Sequence, residues 1–109
     1  MTLIFLVIWL HFIADFILQS DYISKNKSKS NLILLEHVLI YAVPFVLVGV
    51  PYAIINSALH YGVDGITSRM TSKLYAKGDI HKFFVVIGAD QAIHMTCLIA
   101  TLSLTSLLW

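Results

Sequence analysis

Charged residues are scarce in this chain, and their scarcity excludes an ordinary soluble domain. They make up 12% of the 109 residues, whereas hydrophobic residues make up 59%. A soluble domain carries about 25% charged residues, so this chain lacks the side chains that would cover a solvated surface. The composition predicts a membrane protein, and the length leaves room for one domain covering residues 1–109.

Cysteine and proline are also nearly absent. The single cysteine, Cys97, excludes an intramolecular disulfide and argues against a zinc module built from cysteines. The two prolines, Pro44 and Pro51, are scattered and mark no linker between domains. Basic residues fall in two short stretches instead of along one helix face, which argues against nucleic-acid binding.

Long apolar segments occupy most of the remaining sequence. Four of them can be delimited, at residues 2–19, 32–50, 52–69 and 83–108. Each is close to the ~20 residues with which a helix crosses a bilayer. The third is the most polar, because it contains Asn56, His60 and Asp64. The pattern predicts an all-α polytopic membrane protein with four transmembrane helices in a bundle.

The basic residues predict the orientation of these spans. All seven lie in the connections after the first and third segments: Lys25, Lys27, Lys29, Arg69, Lys73, Lys77 and Lys82. The connection between the second and third segments carries no charge. Because Lys and Arg are enriched in cytoplasmic loops, both basic connections are predicted to be cytoplasmic and both termini to lie outside.

Titratable residues recur within the apolar segments at helical spacing. Three pairs are separated by four residues, and a fourth segment adds one histidine: His11 with Asp15, His60 with Asp64, Asp90 with His94, and His37. Four residues make slightly more than one turn, so each pair lies on one helix face. Counted from the cytoplasmic ends, all seven fall in a layer roughly 7–18 Å deep. An ionised Asp facing lipid costs about 2.5–3.5 kcal/mol, so the seven are predicted to face a shared interior.

A metal centre is the preferred interpretation of this layer. Imidazole and carboxylate groups suit zinc first, with manganese or iron as alternatives, and the number of candidates allows one or two ions. The predicted ligands are His11, Asp15, His37, His60, Asp64, Asp90 and His94. The three aspartates Asp15, Asp64 and Asp90 are also candidate catalytic bases. Gln19, Gln91 and Asn56 are candidates to hold the ligands in place.

Two other interpretations of the same layer stay open. Histidines and aspartates on neighbouring membrane helices can form a hydrogen-bond network that only fixes packing. They can also form a proton or cation path, as such chains do in transporters.

The arrangement of these residues resembles a known family. The run His11-Phe-Ile-Ala-Asp15-Phe-Ile-Leu-Gln19, then Asn26-Lys27, His37, His60-x-x-x-Asp64 and Asp90-Gln91-x-x-His94, resembles the family catalogued as domain of unknown function 3307. That resemblance covers nearly the whole chain and implies a small protein of the inner membrane of bacteria, or of their phages, with no stated activity. The pattern is more distantly similar to bacterial membrane-bound metal-dependent hydrolases, which also place His and Asp in their spans.

Two classes of function follow as expectations. A metal-dependent hydrolase would act on a lipid or a lipid-linked phosphate, since its site would open to the bilayer. A non-catalytic phage or bacterial membrane factor would instead bind a host membrane protein or alter permeability, and a chain of 109 residues has little room for substrate-specific loops. The sequence does not decide between enzyme and non-enzyme, and it does not predict the oligomeric state.

Overall fold

The computed structural model describes residues 2–103, and over that range it contains helices and no strand. The helices are α1 (Thr2–Phe12), α2 (Asp21–Asn26), α3 (Asn31–Phe45), α4 (Val50–Ala76) and α5 (Ile80–Leu102). A π-helical turn, Ile13–Ile17, directly continues α1. The expected all-α class is confirmed, and the end of the fourth predicted span, residues 104–108, lies outside the described residues.

Short polar residues determine where the helices begin. The side chains of Ser20, Ser30 and Asp79 each accept a hydrogen bond from a backbone N–H of the following first turn, at the starts of α2, α3 and α5. These caps satisfy donors that the helix itself leaves free. Between α4 and α5 the chain reverses at Gly78, whose φ of 77° is favoured by a residue without Cβ.

Helix length and apolarity support fewer spans than the sequence predicts. Within residues 2–103 one helix, Ile80–Leu102, is both long enough and apolar enough to cross a membrane. The apolar segments Leu3–Ile17 and Asn31–Phe45 are shorter than that criterion. Helix α4 is long, but Asp64, Arg69 and Lys73 lower its apolarity. Four full-length spans are therefore not supported.

The second basic connection differs from its prediction. Helix α4 continues past Arg69 to Ala76, so Arg69 and Lys73 are helical instead of lying in a loop. The ring of Tyr75 packs against that of Phe83 in α5, with centroids 5.4 Å apart, and this contact stabilises the extension. The third span is predicted to end where the apolar residues stop. A helix that packs against its neighbour can continue through polar residues beyond that point.

The helices form a bundle of 45 × 26 × 20 Å in which α4 lies against both α3 and α5. Helix α1 and the π turn complete the bundle by packing on α3 and α5. At the end where α1 and α4 begin, the interior is filled by one apolar cluster: Val7, Leu10, Ala14, Tyr41, Phe45, Tyr52, Ala53 and Leu98. Apart from Asn56, which donates to the Tyr52 carbonyl, the buried polar residues lie beyond this cluster, towards α2 and the α4–α5 turn.

The described residues place polar groups inside and hydrophobic groups outside. Ten polar or charged side chains are buried beside eleven hydrophobic ones. Large hydrophobic side chains are meanwhile exposed on every long helix, including Trp9 at 64%, Leu39 at 60%, Ile66 at 66% and Phe84 at 63%. Soluble monomers rarely expose contiguous apolar surface of this extent.

Candidate metal centre

The structure brings the seven predicted ligands together in the interior. Each is buried, with between 1% and 8% of its surface exposed. They form what we call the His/Asp cluster: His11 from α1, Asp15 from the π turn, His37 from α3, His60 and Asp64 from α4, and Asp90 and His94 from α5. Every long helix therefore contributes to it.

Two imidazoles and two carboxylates form the centre of the cluster. The Nε2 atoms of His37 and His60 lie 3.0 Å apart. The Oδ1 atom of Asp15 lies 3.1 Å from the first of them and 3.6 Å from the second. The Oδ2 atom of Asp64 lies 3.6 Å and 3.8 Å from the same two nitrogens. Four potential ligand atoms thus converge from three elements of the fold.

These distances can be compared with those of a zinc site. With metal–ligand distances of about 2.0–2.1 Å, the ligand atoms of a tetrahedral site lie about 3.4 Å from one another. Five of the six distances among the four atoms run from 3.0 to 3.8 Å. The ligand atoms of Asp15, His37 and His60 lie 3.0 to 3.6 Å from one another, so these three residues fit three ligands of a tetrahedral ion. The shortest of the five distances would also fit a hydrogen bond between the two rings.

A second group of ligand atoms surrounds Asp90. Its Oδ1 atom lies 3.1 Å from Nε2 of His94 and accepts a hydrogen bond of 2.6 Å from the Thr67 hydroxyl. Asp15, Asp90 and His94 offer ligand atoms that lie within 4.8 Å of one another, as do Asp15, His37 and His60. Asp15 belongs to both groups, so it would contribute a carboxylate to either of two ions.

His11 uses both ring nitrogens in hydrogen bonds instead of joining either group. Its Nε2 lies 2.7 Å from Oε1 of Gln91, and its Nδ1 lies 3.0 Å from the Tyr41 hydroxyl. Since a carbonyl oxygen only accepts, His11 donates to Gln91 and accepts from Tyr41. The Gln91 amide in turn donates to Asp15 and Asp90, each at 3.2 Å. His11 thereby orients the amide that holds the two carboxylates.

Ring stacking orients the His60 imidazole. The His60 ring lies between the rings of Tyr41 and His94, with centroid distances of 3.9 and 4.1 Å and interplanar angles of 19° and 24°. Within residues 2–103, the Nδ1 atoms of His37 and His60 have no hydrogen-bond partner. Metal-bound histidines usually donate from the second nitrogen, and at His60 the stack takes over that orienting role.

The π turn places Asp15 between α3, α4 and α5. In this turn the backbone N–H of Leu18 bonds to the carbonyl of Ile13, a 2.9 Å bond that spans five residues. Asp15 lies within this wider turn, and its two oxygens have different neighbours. One oxygen lies next to His37, and the other accepts from Gln91.

Lys27 is a cluster contact that the sequence did not reveal. Its Nζ atom lies 2.9 Å from Oδ2 and 3.1 Å from Oδ1 of Asp64, with 13% of the Lys27 side chain exposed. From the sequence, Lys27 is a signal of orientation and part of the resemblance to the family, and no helical spacing connects it with α4. Thr67 was also missed, although it follows Asp64 by three residues and shares its helix face.

Of the three amides proposed to hold the ligands, Gln91 is the one that contacts the cluster. Asn56 instead donates to the Tyr52 carbonyl at 3.1 Å and to the Thr101 hydroxyl at 3.0 Å. Gln19 lies near the cluster, but its Oε1 atom has no partner among the described residues.

A cavity of about 490 Å³ opens beside the cluster towards α2 and the α4–α5 turn. We call it the polar cavity, and its lining residues include Asp15, Asp64, Asp90, Ser68, Lys25 and Lys27. All three cluster aspartates line it, whereas the four cluster histidines do not. A molecule in the cavity would meet the carboxylates first, with the imidazoles behind them.

Comparison with protein families agrees with the resemblance noted from the sequence. The model of the family DUF3307, described as protein of unknown function, matches residues 2–108. The chain belongs to the DUF3307 family. Comparison with curated proteins and with solved structures finds no significant match. The DUF3307 description names no activity, so a function has to be argued from the site.

Proposed function

We propose that this DUF3307 protein is a metal-binding protein of the bacterial inner membrane, and that its metal centre hydrolyses a lipid or a lipid-linked phosphate. The observation that carries the proposal is the convergence of three ligand atoms, from Asp15, His37 and His60, at distances of 3.0 to 3.6 Å. Burying these groups costs free energy that a bound ion repays directly.

The exposed hydrophobic side chains support a membrane location. Helix α5 crosses the bilayer, and the shorter apolar helices pack beside it with exposed side chains such as Phe5, Leu39 and Ile54 facing hydrocarbon. A span shorter than the bilayer is accommodated by local thinning. The basic residues gather at the end of the bundle that holds α2 and the α4–α5 turn, so that end is cytoplasmic and both termini lie outside.

The chemistry of the ligands favours zinc, with manganese or iron as alternatives. Asp15, His37 and His60 would hold one ion, and Asp15 with Asp90 and His94 would hold a second if two are bound. A ligand set of two histidines and one carboxylate leaves a fourth position for water, as catalytic zinc sites do.

The residues also suggest how hydrolysis would proceed. A divalent ion makes its bound water more acidic and polarises a phosphoryl oxygen. Asp64 lines the polar cavity near both ring nitrogens, so its carboxylate would take the proton from the attacking water. The bond from phosphorus to the lipid oxygen then breaks, and the leaving oxygen takes up that proton.

A proton or cation path is less well supported. A path would have to continue from the cluster to the opposite end of the bundle, and there the described residues form the apolar cluster around Phe45, Tyr52 and Leu98. A purely structural hydrogen-bond network also fits the bonds of His11 and the 3.0 Å contact between the His37 and His60 rings, and metal analysis distinguishes it from a metal centre.

Metal analysis of the purified protein tests the proposal. We expect one or two equivalents of zinc after reconstitution in neutral detergent, and loss of most of that zinc in Asp15→Asn and His60→Ala. His81→Ala is the matched control, since His81 is exposed and lies outside the cluster. Asp64→Asn should keep the zinc and lose the release of phosphate from a lipid phosphate. Chelator-treated protein that keeps its full stability and binds no transition metal would refute the metal centre in favour of the structural network.

A further inference from the structure

The polar cavity is also lined by groups that metal binding does not use. Hydroxyl and ammonium groups line it together with the three carboxylates: Ser24, Ser28, Ser68, Thr71, Ser72 and Lys25. Ser68 is 7% exposed, and its Oγ atom has no hydrogen-bond partner among the described residues. Lys25 forms no ion pair within residues 2–103. A buried donor without a partner indicates a missing acceptor.

The chemistry of these hydroxyl and ammonium groups fits a phosphate group. Hydroxyl groups and an ammonium can donate to several oxygens of one anion at once, and a phosphate offers three of them. The ammonium of Lys27 is already paired with Asp64, which leaves Lys25 as the free positive charge at the cavity.

A second, apolar space lies next to this cavity. It has a volume of about 370 Å³ between α1 and α5, and we call it the apolar groove. Its lining consists of the apolar side chains of Ile8, Trp9, Phe12, Phe16 and Met95 together with His11 and Gln91 of the cluster region. Phe16 and Gln91 line both spaces, so the groove and the polar cavity adjoin. The outer edge of the groove is made of exposed apolar side chains, with Trp9 at 64% and Phe12 at 44%.

We infer that the polar cavity and the apolar groove together bind one amphiphile, with its phosphate between Lys25 and Ser68 and its hydrocarbon chain between α1 and α5. This inference rests on the proposed function for the reaction that takes place there. The substrate class it names is a phosphorylated lipid that enters sideways from the membrane, with Phe16 at the junction of head and chain. A soluble phosphate compound would leave the groove unused.

Binding of dodecyl phosphate tests the inference, with dodecanol and inorganic phosphate as partial probes. All variants are purified in the same neutral detergent, so the partitioning of each probe into detergent is the same for all of them. Native mass spectrometry reports the bound fraction. We expect dodecyl phosphate to bind more tightly than either partial probe. Lys25→Met and Ser68→Ala should each weaken it about fivefold, as expected for one lost hydrogen bond at a partly exposed site. Lys77→Met, which removes a charge outside the cavity, should bind like the wild type.

The groove has its own pair of variants. Met95→Trp fills the groove and should weaken dodecyl phosphate binding, whereas Ile93→Trp adds the same bulk on an exposed part of α5 outside it. Equal binding of dodecyl phosphate and inorganic phosphate would overturn the lipid assignment. Wild-type affinity in Lys25→Met and Ser68→Ala would overturn the phosphate position.

These measurements are made on zinc-loaded and on chelator-treated protein, so the two proposals can fail separately. Binding that depends on Lys25, Ser68 and Met95 in protein that takes up no zinc supports the lipid site and refutes the metal centre. Zinc uptake without that dependence refutes the lipid site alone.

Discussion

Replacing Lys27 with methionine should raise the affinity of the cluster for zinc. The Lys27 ammonium lies 2.9 Å from Oδ2 of Asp64, and this same oxygen lies 3.6 Å from Nε2 of His37. The ammonium therefore compensates the charge of a carboxylate that a bound ion would also compensate. Methionine keeps most of the length and the apolar stem of lysine but removes the competing charge.

The size of the effect follows from the burial of the pair. Removing one partner of a buried ion pair costs about 3–5 kcal/mol, and the 13% exposure of the Lys27 side chain places this pair at the lower end, about 3 kcal/mol. An ion would take over most of the compensation of Asp64, so we expect the cost in the loaded protein to fall to about 1 kcal/mol. The difference of about 2 kcal/mol corresponds to roughly thirtyfold tighter metal binding.

Cobalt titration with a competing chelator measures this affinity, because the visible spectrum of Co²⁺ also reports tetrahedral coordination. Thermal unfolding with and without zinc gives the two stabilities. Lys29→Met is the matched control, since Lys29 lies in the same segment, is exposed and does not line the polar cavity. Lys27 does not compete with the ion for Asp64 if Lys27→Met binds cobalt no more tightly than the wild type, or if its metal-free form is as stable as that of the wild type.

Two further substitutions test the cluster and the apolar end of the bundle independently. Gln91→Leu removes the amide that donates to Asp15 and Asp90, so zinc affinity, measured by chelator competition, should fall about tenfold; an unchanged affinity would show that the amide positions nothing. Tyr52→Phe removes the hydroxyl that donates to the Leu98 carbonyl at 2.6 Å, and denaturant unfolding should show a loss of about 1–2 kcal/mol. Because Tyr52 lies in the apolar cluster, the Tyr52→Phe protein should bind zinc as tightly as the wild type. A loss of zinc affinity alongside the loss of stability would contradict the independence of the two regions.

The convergence of the seven cluster residues was predictable because helical periodicity determines which residues share a face. His60 and Asp64 are one turn apart, and the cost of exposing either to hydrocarbon directs that face inwards. Periodicity does not determine which atoms meet. The contact between the Nε2 atoms of His37 and His60 depends on the rotation of α3 against α4 and on the stack with Tyr41.

The role of Lys27 could not be predicted from spacing. Its partner Asp64 is 37 residues away in the sequence, and Lys25, Lys27 and Lys29 are equivalent as basic residues of one connection. Only the path of the chain from α2 to α3 turns the middle lysine towards the interior. A long flexible side chain can reach several places, so its contacts are decided by tertiary structure.

Helix ends were predictable where a polar cap marks them and unpredictable where only hydropathy was available. Ser30 marks the start of α3, where its side chain accepts a hydrogen bond from the backbone N–H of Ile33. The end of α4 was placed at Arg69 because apolar residues stop there, but a helix is maintained by backbone hydrogen bonds and packing, and Tyr75 supplies the packing.

The partners of His11 and Asp15 explain why sequence alone could name the cluster without dividing its members into roles. Two helical residues four positions apart share a face, so both would be expected to bind an ion. The two side chains are neighbours in the structure as well, with 3.7 Å between His11 Nε2 and Asp15 Oδ2. His11 nevertheless bonds to Tyr41 and Gln91, while Asp15 reaches both groups of ligand atoms. The difference between a ligand and the residue that positions it therefore depends on the partners that the other helices supply, which hydrophobic patterning does not record.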